Sequence, residues 1–259
     1  MEQITSRDNA RIKYACALRD SEKQRAAEGL FFAEGPKLCL ELAKDCTLRT
    51  LYATAAALDR APALAAFADR TTLVDPRVAE KLAGTQSSQG VFALFETPAP
   101  APETLYAARR LLALEGVQDP GNVGTLLRSA AAFGFDAVVL GPGCAAPFSP
   151  KTLRASMGAA GRLPVFRTAD LPGTLTALRQ HGVACLAAAL YRSRPLDEAG
   201  SRFPGGVCVV IGSEGQGLTD QTVAACDAAV RIPMTDRVES LNAGVAGSVL
   251  LWHFRKAGL

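Results

Sequence analysis

The chain has 259 residues, of which 49% are hydrophobic and 20% charged, and a formal net charge of +3. That much apolar material excludes a disordered chain and suits one large or two modest domains. No apolar run approaches the ~20 residues that cross a bilayer, and the opening MEQITSRDNARIK has no apolar signal core, so no membrane partner and a cytoplasmic location are expected. Cysteines at 16, 39, 46, 144, 185, 208 and 226 are scattered, with no C-x-x-C pair and only two histidines elsewhere. They argue for a reducing compartment and against a metal site. The net charge is too small to imply nucleic acid by itself, but its distribution says more. No acidic residue falls between Ala137 and Ala169, whereas Lys151, Arg154, Arg162 and Arg167 do.

In chain order, Ser6 or Asp8 can cap a first helix whose Ile12, Ala15, Cys16 and Leu18 share an apolar face. Arg7, Arg11, Lys13, Arg19, Lys23 and Arg25 cover the rest, nearly balanced by Glu2, Asp8, Asp20 and Glu22; on charge alone this is a solvated face. A strand follows at 30–34, then a helix opened by Gly35-Pro36 and running through Ala43. Next come a strand at 48–53, an Ala-rich helix at 55–69, a strand at 72–74, a helix from Pro76 and a strand at 90–95. These make a small α/β domain over 1–96 with its own core. Thr97-Pro-Ala-Pro-Ala-Pro-Glu-Thr104 interrupts the pattern, because alternating prolines fit neither a helix interior nor a central strand. It reads as a semi-rigid linker.

From 105 to 259 the alternation resumes: strands at 111–115, 137–140, 163–166, 183–188, 207–211 and 228–232, with helices at 122–133, 151–160, 172–181, 219–226 and 240–256. Such alternation predicts a parallel sheet flanked by helices, with ligands at the carboxyl ends of the strands. The stretch Val207-Cys-Val-Val-Ile-Gly-Ser-Glu-Gly-Gln-Gly-Leu218 runs a buried strand into a glycine turn. Its spacing, G-x-x-G-x-G, is neither the dinucleotide fingerprint nor the phosphate loop, and Glu214 would repel a phosphate. A nicotinamide-dependent enzyme is set aside on that ground. A second loop, Leu114 to Arg128, offers Asp119 or Asn122 as a helix cap and places Arg128 among apolar helix residues. Taken alone, that arginine reads as a solvated or ion-paired side chain. A third loop, Arg231-Ile-Pro-Met-Thr-Asp-Arg-Val-Glu-Ser-Leu-Asn242, leads into a helix thinned by Gly244, Ala246, Gly247 and Ser248. Ser240 is the natural cap there, and the thin face suits close packing in the core, a dimer seam, or both.

Together these loops resemble the SpoU/TrmH family of the SPOUT superfamily, S-adenosylmethionine-dependent RNA ribose 2′-O-methyltransferases. The resemblance rests on Asp119-Pro-Gly-Asn-Val-Gly through Arg128, on Ile211-Gly-Ser-Glu-Gly-Gln-Gly-Leu218, and on Ile232-Pro-Met234 followed by Ser240-Leu-Asn242. Pro147 to Gly158 extends it, so that it covers residues 108–256. Ser6, Asn9, Lys13 and Phe32-Ala-Glu34-Gly35 are similar to the small RNA-substrate-binding domain that precedes the catalytic one in many members. Departures are Ala10 in place of a proline, Asp236 in place of a glycine, and Ala243-Gly244 in place of a Val-Ser pair. The resemblance implies an α/β chain in which a C-terminal parallel-sheet SPOUT domain with a deep trefoil knot follows the small α/β domain. It implies S-adenosylmethionine as cofactor, with Gly212, Ile232, Leu241, Ile211 and Met234 around its adenosine part. It assigns Arg128, Asn122, Glu214, Ser240 and Asn242 to the active site, Arg128 positioning an RNA phosphate and lowering the pKa of the target hydroxyl. The proton then passes to a phosphate oxygen or to a transiently neutral Arg128. RNA contacts are expected from Lys151, Arg154, Arg162, Arg7 and Lys13, the first three near one helical face. A homodimer through the C-terminal domain, with the active site shared between subunits, is expected as well. Ribosomal RNA is the expected substrate; transfer RNA, or an inactive RNA-binding protein of the same fold, is the alternative. Whether Glu214 faces the active site or its supporting network stays open.

Overall fold

A computed structural model describes residues 2–190, 192–200 and 203–256. The chain divides into two compact units, the first formed by residues 1–98 and 148–162, the second by 99–147 and 163–259.

The first unit runs β1 (Gln3–Ile4), α1 (Ala10–Asp20), α2 (Glu22–Glu28), β2 (Leu30–Glu34), α3 (Pro36–Leu42), β3 (Leu48–Ala53), α4 (Ala55–Arg60), a 3-10 segment (Pro62–Arg70), β4 (Thr71–Val74), α5 (Pro76–Leu82) and β5 (Val91–Glu96). The sheet order is β1-β4-β3-β5-β2, with β1, β4 and β3 parallel and β5 antiparallel to both its neighbours. Ile12, Leu18, Phe32, Val78, Leu82 and Phe92 bury one face together. Three local expectations are corrected. Asn9, not Ser6 or Asp8, caps α1, its side chain accepting from Arg11 N, while Ser6 Oγ is occupied by Asp8 N. The helix expected over 55–69 stops at Ala61, because Pro62 has no N–H to continue it. The expected helix over 151–160 is two pieces, α8 (Pro150–Ser156) and α9 (Ala159–Arg162), separated where Met157 turns left-handed at φ 50°.

That pair of short helices belongs with the first unit, although its sequence neighbours lie in the second. Phe148, which precedes α8, stacks on Phe31 of β2 at 4.9 Å. Arg162 ends α9 with its guanidinium on the Glu41 and Asp45 carboxylates.

The second unit runs α6 (Pro102–Ala107), β6 (Arg110–Leu114), α7 (Pro120–Ala132), β7 (Ala137–Leu140), β8 (Val165–Arg167), α10 (Leu171–Gln180), β9 (Ala184–Ala188), β10 (Arg194–Pro195), β11 (Val207–Ile211), α11 (Asp220–Ala224), β12 (Ala228–Arg231) and α12 (Ala243–His253). The last proline of the expected linker, Pro102, starts α6, where a missing N–H costs nothing. The seven strands are parallel in the order β10-β12-β9-β11-β6-β7-β8. Every residue of β11 is buried, as its unbroken β-branched run demands of a central strand covered on both faces. Its pairing with β6, Val207 opposite Arg110 through Ile211 opposite Leu114, brings the two following loops out side by side at the carboxyl edge. α12 packs on α7 through its glycines: a β-carbon at Gly247 would overlap Leu126 and Ile211. Among the described residues no helix is long and apolar enough to cross a membrane.

Candidate active site

β11 ends at Ile211, and Gly212 turns the chain so closely past Gly217 that any β-carbon at 212 would overlap the Gly217 carbonyl. Ser213 and Gly217 then exchange both backbone hydrogen bonds, at 3.1 and 3.0 Å, and Ser213 Oγ accepts from Gln216 N at 3.1 Å. Gly217 completes this tight turn at φ 69°, a left-handed conformation that favours glycine.

The turn holds Glu214 at its tip, and one oxygen of its carboxylate carries three hydrogen bonds. Its Oε1 accepts from Asn122 Nδ2 at 2.7 Å, Asn242 Nδ2 at 2.5 Å and the Ala243 backbone N–H at 3.1 Å. Asn122 sits in the first turn of α7, whose cap Asp119 accepts its N–H at 3.0 Å; Asn242 is the cap of α12 and accepts from Val245 N at 3.2 Å. One carboxylate therefore closes the amino ends of two helices of 13 and 11 residues, where the backbone dipoles favour a negative charge. Glu214 thus joins the two helix ends to the turn, while it also lines the adjacent cavity. The same bonding corrects Ser240, which caps nothing. Glu214 selects Asn242 and Ala243, so α12 begins two residues later than the expected cap would have it.

A second carboxylate holds the far end of the same loop. Glu115, just beyond β6, accepts from Thr219 N at 2.8 Å and Thr219 Oγ1 at 3.1 Å, and from Thr222 Oγ1 at 2.7 Å. Thr219 is the cap of α11, so Glu115 pins the residues that follow Gly217 to the end of β6. Sequence reasoning missed Glu115. Its one local sign is an acidic residue directly after a wholly apolar strand end.

Beside the loop lies a cavity of about 880 Å³. All five residues expected around the cofactor line it: Ile211, Gly212, Ile232, Met234 and Leu241. Ser240 and Glu214 reach it too, together with Leu190, Arg192, Leu218 and Asp220, which were not foreseen. Asn122 and Asn242 stand behind Glu214, outside the lining. Arg128 lies on the exposed side of α7 and makes no hydrogen bond or ion pair to Glu214 or to any other described residue. On α12, Val245, Val249 and Trp252 are 51%, 39% and 54% exposed, forming one apolar stripe at helical spacing.

The basic residues expected to meet RNA fall in the first unit and are not equivalent. Arg162 is neutralised by Glu41 and Asp45, and it lies on α9 while Lys151 and Arg154 lie on α8, so the three do not form one helical face. Lys13 pairs with Asp8 at 3.2 Å; Arg7 is exposed and its backbone carbonyl accepts from Lys81. Among the described residues no group of three His, Cys, Asp or Glu side chains is placed to hold a metal ion.

The model of the SpoU rRNA Methylase family matches residues 109–252, and that of the MRM3-like substrate binding domain matches residues 9–93. The chain is 31% identical over 255 residues to the 23S rRNA (guanosine(2553)-2′-O)-methyltransferase RlmP of Bacillus subtilis, covering 98% of this chain and 100% of that one. Among solved structures, the AdoMet-bound rRNA methyltransferase from Sinorhizobium meliloti superposes with a TM-score of 0.85 at 28% identity, covering 100% of this chain and 98% of that one. The SpoU methyltransferase AviRb from Streptomyces viridochromogenes, in complex with AdoMet, gives 0.83 at 25% identity, over 95% and 97%. With more than half its length matched by the family model, and a relative 31% identical to it from end to end, the chain belongs to the SpoU rRNA methylase family.

Proposed function

We propose that the protein is an S-adenosylmethionine-dependent methyltransferase that modifies a ribose 2′-hydroxyl of ribosomal RNA. The observation that carries this reading is the glycine turn at 212–217, held between two carboxylate clamps and forming one wall of the cavity. The cavity fits the cofactor's chemistry. Its volume of about 880 Å³ lies in the range of small-molecule sites, roughly 300–1,000 Å³. Leu190, Ile232, Met234 and Leu241 offer apolar walls for adenine, and backbone at Gly212 can approach closely. Arg192 and Asp220 place opposite charges at its margin, as a zwitterionic amino-acid end requires.

When bound, the cofactor supplies an electrophilic methyl group on sulfonium. The chain must hold an RNA hydroxyl in line with it and lower the cost of removing its proton. Arg128 is suited to holding the RNA, because it is exposed on α7 and its guanidinium has no carboxylate partner among the described residues, which leaves it available to a substrate phosphate. A phosphate oxygen held there, or an Arg128 made transiently neutral, takes the proton. Asn122, Asn242 and Ser240 serve the same site from around Glu214. Lys151, Arg154, Arg7 and Lys13 offer phosphate contacts from the first unit.

We also infer a homodimer, a shared active site and a knotted C-terminus. The exposed Val245, Val249 and Trp252 stripe beside the helix carrying Arg128 supports the first two. Support for the knot comes from strand order, β12 lying beyond β9 although it follows β11, and from α12 returning to α7. A protein with seven free thiols and an RNA substrate is read as cytoplasmic. The test is transfer of a radiolabelled methyl group from S-adenosylmethionine to unmodified ribosomal RNA, with mapping of 2′-O-methyl positions. Transfer to transfer RNA alone would move the substrate, and no transfer to either would overturn the reading.

A further inference from the structure

The first unit contains a second cavity, of about 750 Å³, at the carboxyl ends of the parallel strands β3 and β4. Such ends are where open parallel sheets leave room for ligands. Its floor is apolar, from Ala55, Ala56, Leu73, Val74, Pro76 and Ala79. Its rim is polar and comes largely from the loop between α5 and β5, Thr85-Gln-Ser-Ser88, with Gln3 from β1.

That loop is built to a fixed shape. Arg19 of α1 donates to the carbonyls of Lys81, Leu82 and Ala83 at 2.8, 3.1 and 2.9 Å, holding the end of α5 where the loop departs. Glu34, 8% exposed at the end of β2, accepts from Gly84 N at 2.9 Å and Thr85 Oγ1 at 2.7 Å. Burying a carboxylate is costly unless donors meet it, and here both oxygens are spent on setting the loop. The outward groups are unspent: the amides of Gln3 and Gln86 and the hydroxyl of Ser87 make no hydrogen bond within the described protein. Arg60 uses only Nε, donating to Ala56 O at 3.1 Å.

The charges say which ligand fits. Arg60 stands against Asp75 and Glu80, and although Asp75 is engaged as the cap of α5, the lining is net negative and forms no phosphate cradle. An apolar floor with amides, a hydroxyl and a carboxylate at the rim suits a flat neutral heterocycle with amino groups along its edge. Base edges are read this way: amides pair with adenine, and carboxylates accept from exocyclic amines. We propose that this cavity receives one unstacked, amino-bearing base of the RNA substrate, adenine, cytosine or guanine in preference to uracil, whose edge offers Glu80 no amine. Splayed single-stranded bases are the elements through which proteins usually recognise RNA sequence. The proposal rests on the reading of the protein as an RNA methyltransferase and assigns this unit a share in choosing the site.

The test uses the full chain, in vitro transcribed unmodified 23S rRNA, and short oligomers of A, C and U. Wild-type protein should bind A and C oligomers more tightly than U. The double variant Glu80→Ala/Gln86→Ala should lose that preference and bind rRNA about tenfold more weakly, the scale of one base contact. Ser87→Trp, at an exposed loop position where folding tolerates bulk, should fill the cavity with the same effect. S-adenosylmethionine affinity by calorimetry should be unchanged in both, because the second unit is untouched. Undiminished rRNA binding by both variants, or no base preference in the wild type, overturns the proposal. Methyl transfer by wild-type protein is measured in parallel: its absence removes the enzymatic reading, whereas transfer with undiminished binding by the variants removes the pocket alone.

Discussion

Removing the Glu214 side chain should loosen the end of the second unit that carries the cavity, by an amount the hydrogen bonds allow to be worked out. Glu214→Ala deletes the common acceptor of three donors, two side-chain amides and one backbone N–H. The cluster is partly exposed, so the amides turn to water and each bond is worth about 0.5–1 kcal/mol, at the low end of the usual range. The charge at two helix amino ends adds about 0.3–1 kcal/mol each, part of it already counted in the Ala243 bond. A loss of about 2–4 kcal/mol follows for Glu214→Ala. Glu214→Gln keeps a carbonyl oxygen in place of the carboxylate and should lose only about 1 kcal/mol. Urea unfolding followed by circular dichroism measures both, and calorimetry should show cofactor affinity falling in the same order. A double-mutant cycle with Asn242→Ala should return a coupling of about 1 kcal/mol. If Glu214→Ala kept wild-type stability and cofactor affinity yet abolished methyl transfer, the network role would be refuted and Glu214 would act on the substrate directly.

Arg128→Ala should leave cofactor affinity intact and reduce turnover by about 10²–10⁴-fold, the range for losing a group that stabilises charge in the transition state; lost cofactor binding by calorimetry would refute the assignment. Glu115→Gln puts an amide against Thr219 N–H or the threonine hydroxyls and should cost about 1–2 kcal/mol, and in the presence of Thr222→Val the penalty should shrink. Gly212→Ala must move the Gly217 backbone and should destabilise by about 1–3 kcal/mol with loss of cofactor binding, readable in one titration series. Burial pushes the Cys46 thiol up to about 11 and the Cys226 thiol up to about 12 from an ordinary 9.0, so both should resist alkylation at pH 8. Because the folded-state values are raised, the stability they confer is full below pH 9.0 and is lost as pH climbs toward those values; unfolding midpoints between pH 8 and 11 should fall accordingly.

Most elements of the second unit were legible because a buried parallel strand and an amphipathic helix have different periods, and Val207 to Ile211 could be read as nothing else. What the pattern could not show is which element pairs with which unit. Residues 150–162 continue the helix–strand alternation of their neighbours, yet Phe148 stacks on Phe31, more than a hundred residues earlier, and Arg162 closes on Glu41 and Asp45. The same limit hid Glu115, whose partners Thr219 and Thr222 follow more than a hundred positions later. Caps failed for a related reason. Ser240 and Asn242 are both good capping residues by local chemistry, and a carboxylate on a distant turn decides between them. The five residues expected around the cofactor were named from the family motifs, and residues distant in sequence do line one cavity.

The two carboxylate clamps explain why a glycine turn next to helix amino ends need not be a phosphate site. In a phosphate loop the ligand's own charge satisfies the helix amino end. Here the Glu214 carboxylate occupies that position, so the turn is shaped before any ligand arrives and little affinity is spent on ordering it. The anionic position being filled, what the turn still offers is close-approaching backbone and apolar wall, which suit a neutral heterocycle such as adenine. The arrangement also keeps Glu214 away from Arg128. All three donors on Glu214 are uncharged, and Arg128 has no ion pair among the described residues. Had the two side chains met, the guanidinium would have been neutralised within the protein. Kept apart on α7 and its facing turn, the carboxylate ties two helix ends to the turn while the arginine makes no ion pair among the described residues, as the proposed hold on an RNA phosphate requires.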